Sequence, residues 1–215
     1  MSRLLYPQKW RLYVVTDEKL SKGRSHVEVA ESAIRGGADV IQLRDKTASS
    51  GELYRIAMEL KKLSLDTKVP LIINDRLDIA LAVDADGLHV GQDDLPALVA
   101  RRLLGSWKIL GVSAETPEEA LIAEKDGADY LGVGPIYEAR GTKADAGSPK
   151  GPEMIAPILG KCRLPIVAIG GIKSNNAKSV LEAGATAVAV VSEIVGADDI
   201  EQSAREMKAL LTQGA

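Results

Sequence analysis

Eight short apolar runs recur along this chain, and each stops at polar residues or glycine. The stops read Thr16-Asp17, Gln42-Leu43-Arg44, Asn74-Asp75, Gly91-Gln92-Asp93-Asp94, Ser113, Gly134-Pro135, Gly170-Gly171 and Val191-Ser192. Parallel strands closed in a ring put all their carboxyl ends on one face, and (β/α)₈ barrels build their active sites there. The odd runs, such as RLYVVTD from Arg11 and PIVAIGG from Pro165, are aliphatic and too short for core helices. A small motif precedes each even run: Gly37-Ala38-Asp39, Asp84-Ala85-Asp86, Gly127-Ala128-Asp129 and Gly184-Ala185-Thr186. The four copies lie roughly a quarter of the chain apart, the signature of a repeated supersecondary unit.

Helical patterns fill the intervals. From Ser49 to Leu65, Leu53, Ile56, Ala57, Leu60 and Leu63 form an amphipathic stripe. Thr116-Pro117-Glu118-Glu119 reads as a helix start, with a hydroxyl cap, proline at the first position and acids in the first turn. Ser174 is expected to open another helix, and Ile200 to Leu211 the last one. Strands alternating with helices imply a parallel sheet covered by helices. An open doubly wound sheet competes with a barrel, but eight strands and a quarter repeat favour closure. The expected fold is α/β, a single-domain (β/α)₈ TIM barrel over residues 1–215. Residues 142–151, TKADAGSPKG, have the length and composition of a mobile active-site loop.

Composition excludes several functions. The net charge of −3 gives no general attraction to nucleic acid or an anionic membrane. With no Phe, two Trp and five Tyr, base-stacking surfaces are not expected either. No apolar run approaches the roughly 20 residues of a membrane span. The start lacks a signal-peptide layout, and the lone Cys162 fits a reducing compartment, so a cytoplasmic protein is expected. Two distant histidines and one cysteine make no zinc pattern. Apolar residues on helix faces serve outer-ring packing and a homo-oligomer interface equally, so both stay open.

The chemistry concentrates at the strand ends. Gln42, Arg44 and Lys46 fall at i, i+2 and i+4, on one face of an extended segment. An amide, a guanidinium fork and an ammonium make an anion cradle, although a solvated strand end paired with Asp45 has the same pattern. Asn74-Asp75 ends the third run and Gln92-Asp93-Asp94 follows the fourth. Carboxylates from adjacent strands can share one Mg²⁺, which completes its shell with water and substrate phosphate. Asp75 paired with Arg76, and Asp93 and Asp94 capping a helix, are the plainer readings. Gly170-Gly171 and Val191-Ser192 fall where barrels often hold a phosphate, and glycines let backbone approach a ligand. Two anion sites on one face suggest two phosphorylated substrates, with Thr142 and Lys143 within reach of either. His89 is read as a packed barrel residue, His26 as a surface residue at a helix start, and Arg101-Arg102 as a solvated helix face.

Taken together, VIQLRDK, LIINDRLDIA, ADGLHVGQDDLP, ILGVSAETPEEA, ADYLGVGPIY, TKADA, IVAIGGI and AVAVVSEI resemble the thiamine-phosphate synthase (thiamine-phosphate pyrophosphorylase) family. The resemblance runs from about Leu12 to the final helix. It implies a transferase that joins 4-amino-2-methyl-5-hydroxymethylpyrimidine diphosphate to a thiazole phosphate, giving thiamine phosphate and diphosphate. By motif, Gln42, Leu43, Arg44, Asp45 and Lys46 correspond to the diphosphate-binding segment, and Asn74 to a pyrimidine contact. Asp75 and Asp94 correspond to Mg²⁺ ligands, and Ser113 and Lys143 to further pyrimidine-diphosphate contacts. Gly171, Val191 and Ser192 correspond to the thiazole-phosphate site. Arg44, Lys46, Lys143 and Ser113 would carry the chemistry. The family pattern GPI-[YF]-x-T-x-T-K is here GPIYEARGTK, one residue longer. Thr142 and Lys143 are kept, and Ala139, Arg140 and Gly141 lie where the first Thr is expected, so Arg140 becomes a candidate ligand for the thiazole phosphate. A thiazole tautomerase of related fold, or a non-catalytic binder of phosphorylated ligands, are the rival readings. Asp75, Asp94 and the QLRDK cradle argue against the first, and the completeness of the ligand set argues against the second.

Overall fold

The computed structural model describes residues 7–138 and 148–212. Eight strands close a barrel in sequence order: β1 (Leu12–Val15), β2 (Val40–Leu43), β3 (Leu71–Asn74), β4 (Gly87–Val90), β5 (Ile109–Ala114), β6 (Tyr130–Val133), β7 (Ile166–Ile169) and β8 (Ala187–Val190). All pairings are parallel, and β8 closes on β1 with Tyr13 opposite Ala189. The open-sheet alternative is therefore excluded. Around the ring run α1 (His26–Arg35), α2 (Ser50–Thr67), α3 (Leu77–Ala82), α4 (Ala97–Leu104), α5 (Pro117–Lys125), α6 (Ile155–Leu159), α7 (Ala177–Glu182), α8 (Ser192–Val195) and α9 (Ile200–Thr212). No described helix is long and apolar enough to cross a membrane.

The two-residue period of a strand divides each run between two apolar layers. Leu12, Val14, Ile41, Leu43, Leu71, Ile73, Leu88 and Leu110 face the helices. Trp10, Tyr13, Val15, Val40, Ile72, Ile109, Tyr130, Val167, Ala187 and Ala189 fill the barrel interior. Trp10 meets Tyr130 edge-on at 5.3 Å and Tyr13 at 5.7 Å, so the amino end of the barrel is packed with rings. Glycine makes the room for them. A Cβ on Gly111 would lie 2.1 Å from the Tyr130 ring, and one on Gly132 would lie 2.8 Å from the His89 ring.

The repeated Gly-Ala-Asp motif locks that end. The Asp39 carboxylate accepts from the backbone N–H of Arg11 and Leu12 at the start of β1. Asp86 does the same for Leu71 at the start of β3, and Asp129 for Leu110 in β5. Each carboxylate also has a basic partner: Lys208, Lys61 and Arg101, respectively. In the fourth copy Thr186 has no carboxylate, and its carbonyl accepts from the Arg11 guanidinium instead. Each aspartate thus ties the entry of one even strand to its odd predecessor.

Local signals mostly act as the sequence suggests. Ser25 and Glu28 form a capping box, and Ser49 and Thr116 accept from the backbone N–H groups of Glu52 and Glu119. Ser174 does not cap: α7 starts at Ala177, and Ser174 bonds Glu193 while Asn176 accepts from Lys173 N–H. Arg101 also departs from expectation. It lies half-buried, donating to the carbonyls of Gly105, Lys108 and Gly127 and to Asp129, whereas Arg102 is exposed.

Asp86 offers a test of this lock. Its carboxylate holds Leu71 N–H, the Ser64 hydroxyl at 2.8 Å and Lys61 at 3.0 Å. Asp86→Ala strands all three and is expected to lower unfolding free energy by about 2–3 kcal/mol, read as a lower urea midpoint. Turnover per folded molecule should be unchanged, because the residue lies at the end of the barrel away from the cavity.

Candidate active site

The carboxyl ends of the strands enclose a cavity of about 330 Å³. Its floor is a chain of hydrogen bonds. The Gln42 amide donates to the Tyr13 hydroxyl at 2.7 Å, and Tyr13 meets the Tyr130 hydroxyl at 2.9 Å. Tyr130 in turn meets His89 Nδ1 at 3.0 Å, and His89 Nε2 lies 3.0 Å from Ser113 Oγ. Burial pushes both tyrosine hydroxyls well above their ordinary range, so they stay protonated. His89 is a packed barrel residue, as read from its mid-strand place, but it also lines the cavity. Sequence reasoning missed that second part. The available signal was inward parity: His89 lies opposite Asn74 on β3 and Gly111 on β5.

The anion cradle forms one rim. Arg44 and Lys46 line the cavity with Gln42, as their spacing requires. The same alternation turns Leu43 and Asp45 away. Leu43 is buried against the helices, and Asp45 bonds His26 and the backbone of Thr47 and Ala48. Neither side chain lines the cavity. His26 is likewise not a surface residue: it is buried, between Thr16 and Asp45.

Beside the cradle stand two carboxylates. Asp75 accepts from Lys46 Nζ at 2.5 Å, whereas Arg76 pairs with Asp78. Asp94 accepts from Gly91 N–H at 2.8 Å, and the helix cap at Pro96 has no side-chain bond. Asp75 and Asp94 are close enough to hydrogen-bond each other. Burial first, then the Asp94 carboxylate, hold the Asp75 carboxyl above its ordinary value of 3.8, and Lys46 offsets them only in part. Burial also acts upward on Asp94, but hydrogen bonds from Asp75 and Gly91, with Lys46, bring it below. Among the described residues no group of three or more His, Cys, Asp or Glu can hold a metal. A facing pair beside a phosphate cradle nevertheless fits Mg²⁺, which takes one or two carboxylates and fills its shell with water and phosphate.

Asn74, Ser113, Gly171, Val191 and Ser192 also line the cavity, joined by Gln92 and Asp93. The glycine pair has a reason besides a ligand. Gly170 and Gly171 have φ of +105° and +62°, and a Cβ on them would lie 2.7 Å from Pro135 Cα and 2.5 Å from the Glu138 carbonyl. Their permissive backbone lets the turn after β7 pack on the segment after β6. Arg140, Gly141, Thr142 and Lys143 lie outside the described residues, as does most of the 142–151 loop.

The closed barrel, with a cavity lined by charged side chains at the carboxyl ends of its strands, defines a (β/α)₈ protein whose candidate site lies on the usual active-site face of that fold. The chain matches the family described as thiamine monophosphate synthase over residues 12–194, and it belongs to that family. It is 56% identical over 203 residues to the thiamine-phosphate synthase of Chloroflexus aurantiacus, covering 94% of this chain and 93% of the relative. It is 52% identical to that of Moorella thermoacetica, covering 95% and 97%. The solved thiamine phosphate pyrophosphorylase of Pyrococcus furiosus superposes with a TM-score of 0.88 at 39% identity, over 96% of this chain and 98% of that one. A 3-hexulose-6-phosphate synthase, at 20% identity and a TM-score of 0.69, shares the fold alone.

The paired carboxylates have a measurable cost. A carboxyl whose pKa rises on folding stabilises the fold below its unfolded pKa and loses that contribution as pH rises through the folded value. Ionised Asp75 therefore opposes folding at pH 7. Asp75→Asn removes the charge and tolerates the left-handed φ of +60° at this position. The variant is expected to melt above the wild type in metal-free buffer at pH 7, and Mg²⁺ with diphosphate should raise only the wild-type midpoint. A metal-free midpoint below wild type would contradict this reading of the pair.

Proposed function

We propose that this protein is a transferase, a thiamine-phosphate synthase. It condenses 4-amino-2-methyl-5-hydroxymethylpyrimidine diphosphate with a thiazole phosphate, releasing diphosphate. The observation that carries the reading is the facing pair Asp75 and Asp94, bonded through Lys46 to the cradle that also presents Arg44. Family membership and identity over nearly the whole chain support it.

Arg44 and Lys46 bind the diphosphate and stabilise the charge that develops on it as it leaves. Asp75 and Asp94 would hold Mg²⁺, which when bound would supply further positive charge toward the same leaving group. The hydrogen-bonding floor and Asn74 orient the aminopyrimidine, whose electron-rich ring stabilises positive charge at the carbon that the diphosphate leaves. Gly171, Val191 and Ser192 seat the thiazole phosphate so that the ring nitrogen faces that carbon, and the protein's contribution to attack is positioning. No protein nucleophile is needed. On sequence grounds Lys143, with Ser113, adds contacts to the diphosphate substrate, and Arg140, Gly141 and Thr142 contribute to the phosphate sites.

Purified protein given both substrates should form thiamine phosphate only when Mg²⁺ is present. Asp75→Asn is expected to lower kcat by about a hundredfold or more, the scale of losing a leaving-group stabiliser. Metal-independent turnover, or no product from folded wild-type protein, would overturn the proposal.

A further inference from the structure

Behind the cradle, and outside the cavity, lies a buried polar cluster from three segments. His26, the first residue of α1, has a side chain only 5% exposed, and the Asp45 side chain is 4% exposed. His26 Nδ1 lies 2.7 Å from Thr16 Oγ1, and Nε2 lies 3.3 Å from Asp45 Oδ2. The other oxygen, Asp45 Oδ1, accepts from Thr47 N–H at 2.7 Å, Ala48 N–H at 2.9 Å and the Thr47 hydroxyl at 3.0 Å. That turn encloses Lys46. Thr16 Oγ1 also accepts from the backbone N–H of Arg44 at 3.4 Å, and Asp17 holds the Arg44 guanidinium at 3.2 Å.

We propose that His26 is a positioning residue for the diphosphate cradle, setting Arg44 and Lys46 through Thr16 and Asp45 without touching substrate. The segment after β2 leaves the sheet at Leu43, so its cations have no strand ladder to fix them. Burying polar groups is costly unless they are bonded, and this cluster bonds both carboxylate oxygens of Asp45 and both ring nitrogens of His26. The bonded set holds one conformation of residues 44–48, which fixes the two cations before ligand arrives. Such preorganisation lowers the ordering cost of binding. The inference rests on the reading of Arg44 and Lys46 as diphosphate ligands.

The test measures binding and turnover separately. Inorganic diphosphate with Mg²⁺ is titrated into wild type, His26→Leu and His26→Gln by calorimetry, and KM is measured for each substrate. His26→Leu removes both bonds and should weaken diphosphate binding and raise KM for the pyrimidine diphosphate about tenfold, the scale of losing a buried bond to a charged group. KM for the thiazole phosphate should not change. His26→Gln keeps an N–H within reach of Asp45 and should recover most of the loss. Unchanged diphosphate affinity in His26→Leu, or KM values raised alike for both substrates, would overturn the proposal. Should His26→Leu fail to fold, Thr16→Val decides: weaker diphosphate binding supports the bracket, and wild-type affinity overturns it. Wild-type protein that binds diphosphate but forms no product defeats the proposed reaction, while the bracket is still judged by affinity. Wild-type protein that does not bind diphosphate defeats both.

Discussion

Closure of the parallel ladder between β8 and β1 is the constraint on which the rest depends. A ring of parallel strands has two unlike ends, and this chain gives them different work. At the amino end, Asp39, Asp86 and Asp129 turn three copies of one motif into clamps on strand starts, each neutralised by a basic side chain. At the carboxyl end, the backbone groups and side chains stay available around a cavity. Separating the two roles lets the site hold unfavourable charge without disturbing the ladder.

The cavity is itself stratified. Its floor is made of groups that remain neutral: Tyr13, Tyr130 and the amide of Gln42, joined through His89 to Ser113. Its rim brings titratable groups of both signs together, Lys46 against Asp75 and Asp75 beside Asp94. On the proposed function, the floor orients the pyrimidine ring by directional bonds, and the charged rim takes the metal and the diphosphate. Asp75, held at φ +60° with its carboxyl raised, is a place where local stability is given up for such a site.

Much of this was legible in the sequence, and the limits have physical causes. The eight runs, the quarter repeat and the strand-end residues follow from period and punctuation, which are local. The parity of Gln42, Arg44 and Lys46 placed them on one face, and the same parity applied to Leu43 and Asp45 would have sent those two outward. Contacts between distant segments were not legible. His26 is buried only because Asp45, in the next loop, comes to meet it, and Arg101 is a clamp only because Asp129 lies beside it. Likewise, the glycine pair after β7 answers to the neighbouring segment at Pro135 and Glu138, which no local pattern reveals.

On the proposed function, one metal and one diphosphate share the rim formed by Asp75, Asp94, Arg44 and Lys46. The most direct test is a crystal structure with Mn²⁺, in place of Mg²⁺, and inorganic diphosphate, using the anomalous signal of the metal. A single peak is expected between the Asp75 and Asp94 carboxylates, with the diphosphate beside it and within reach of Arg44 and Lys46. Metal bound elsewhere, or diphosphate lodged only at Gly171 and Ser192 with the carboxylate pair unaltered, would contradict it.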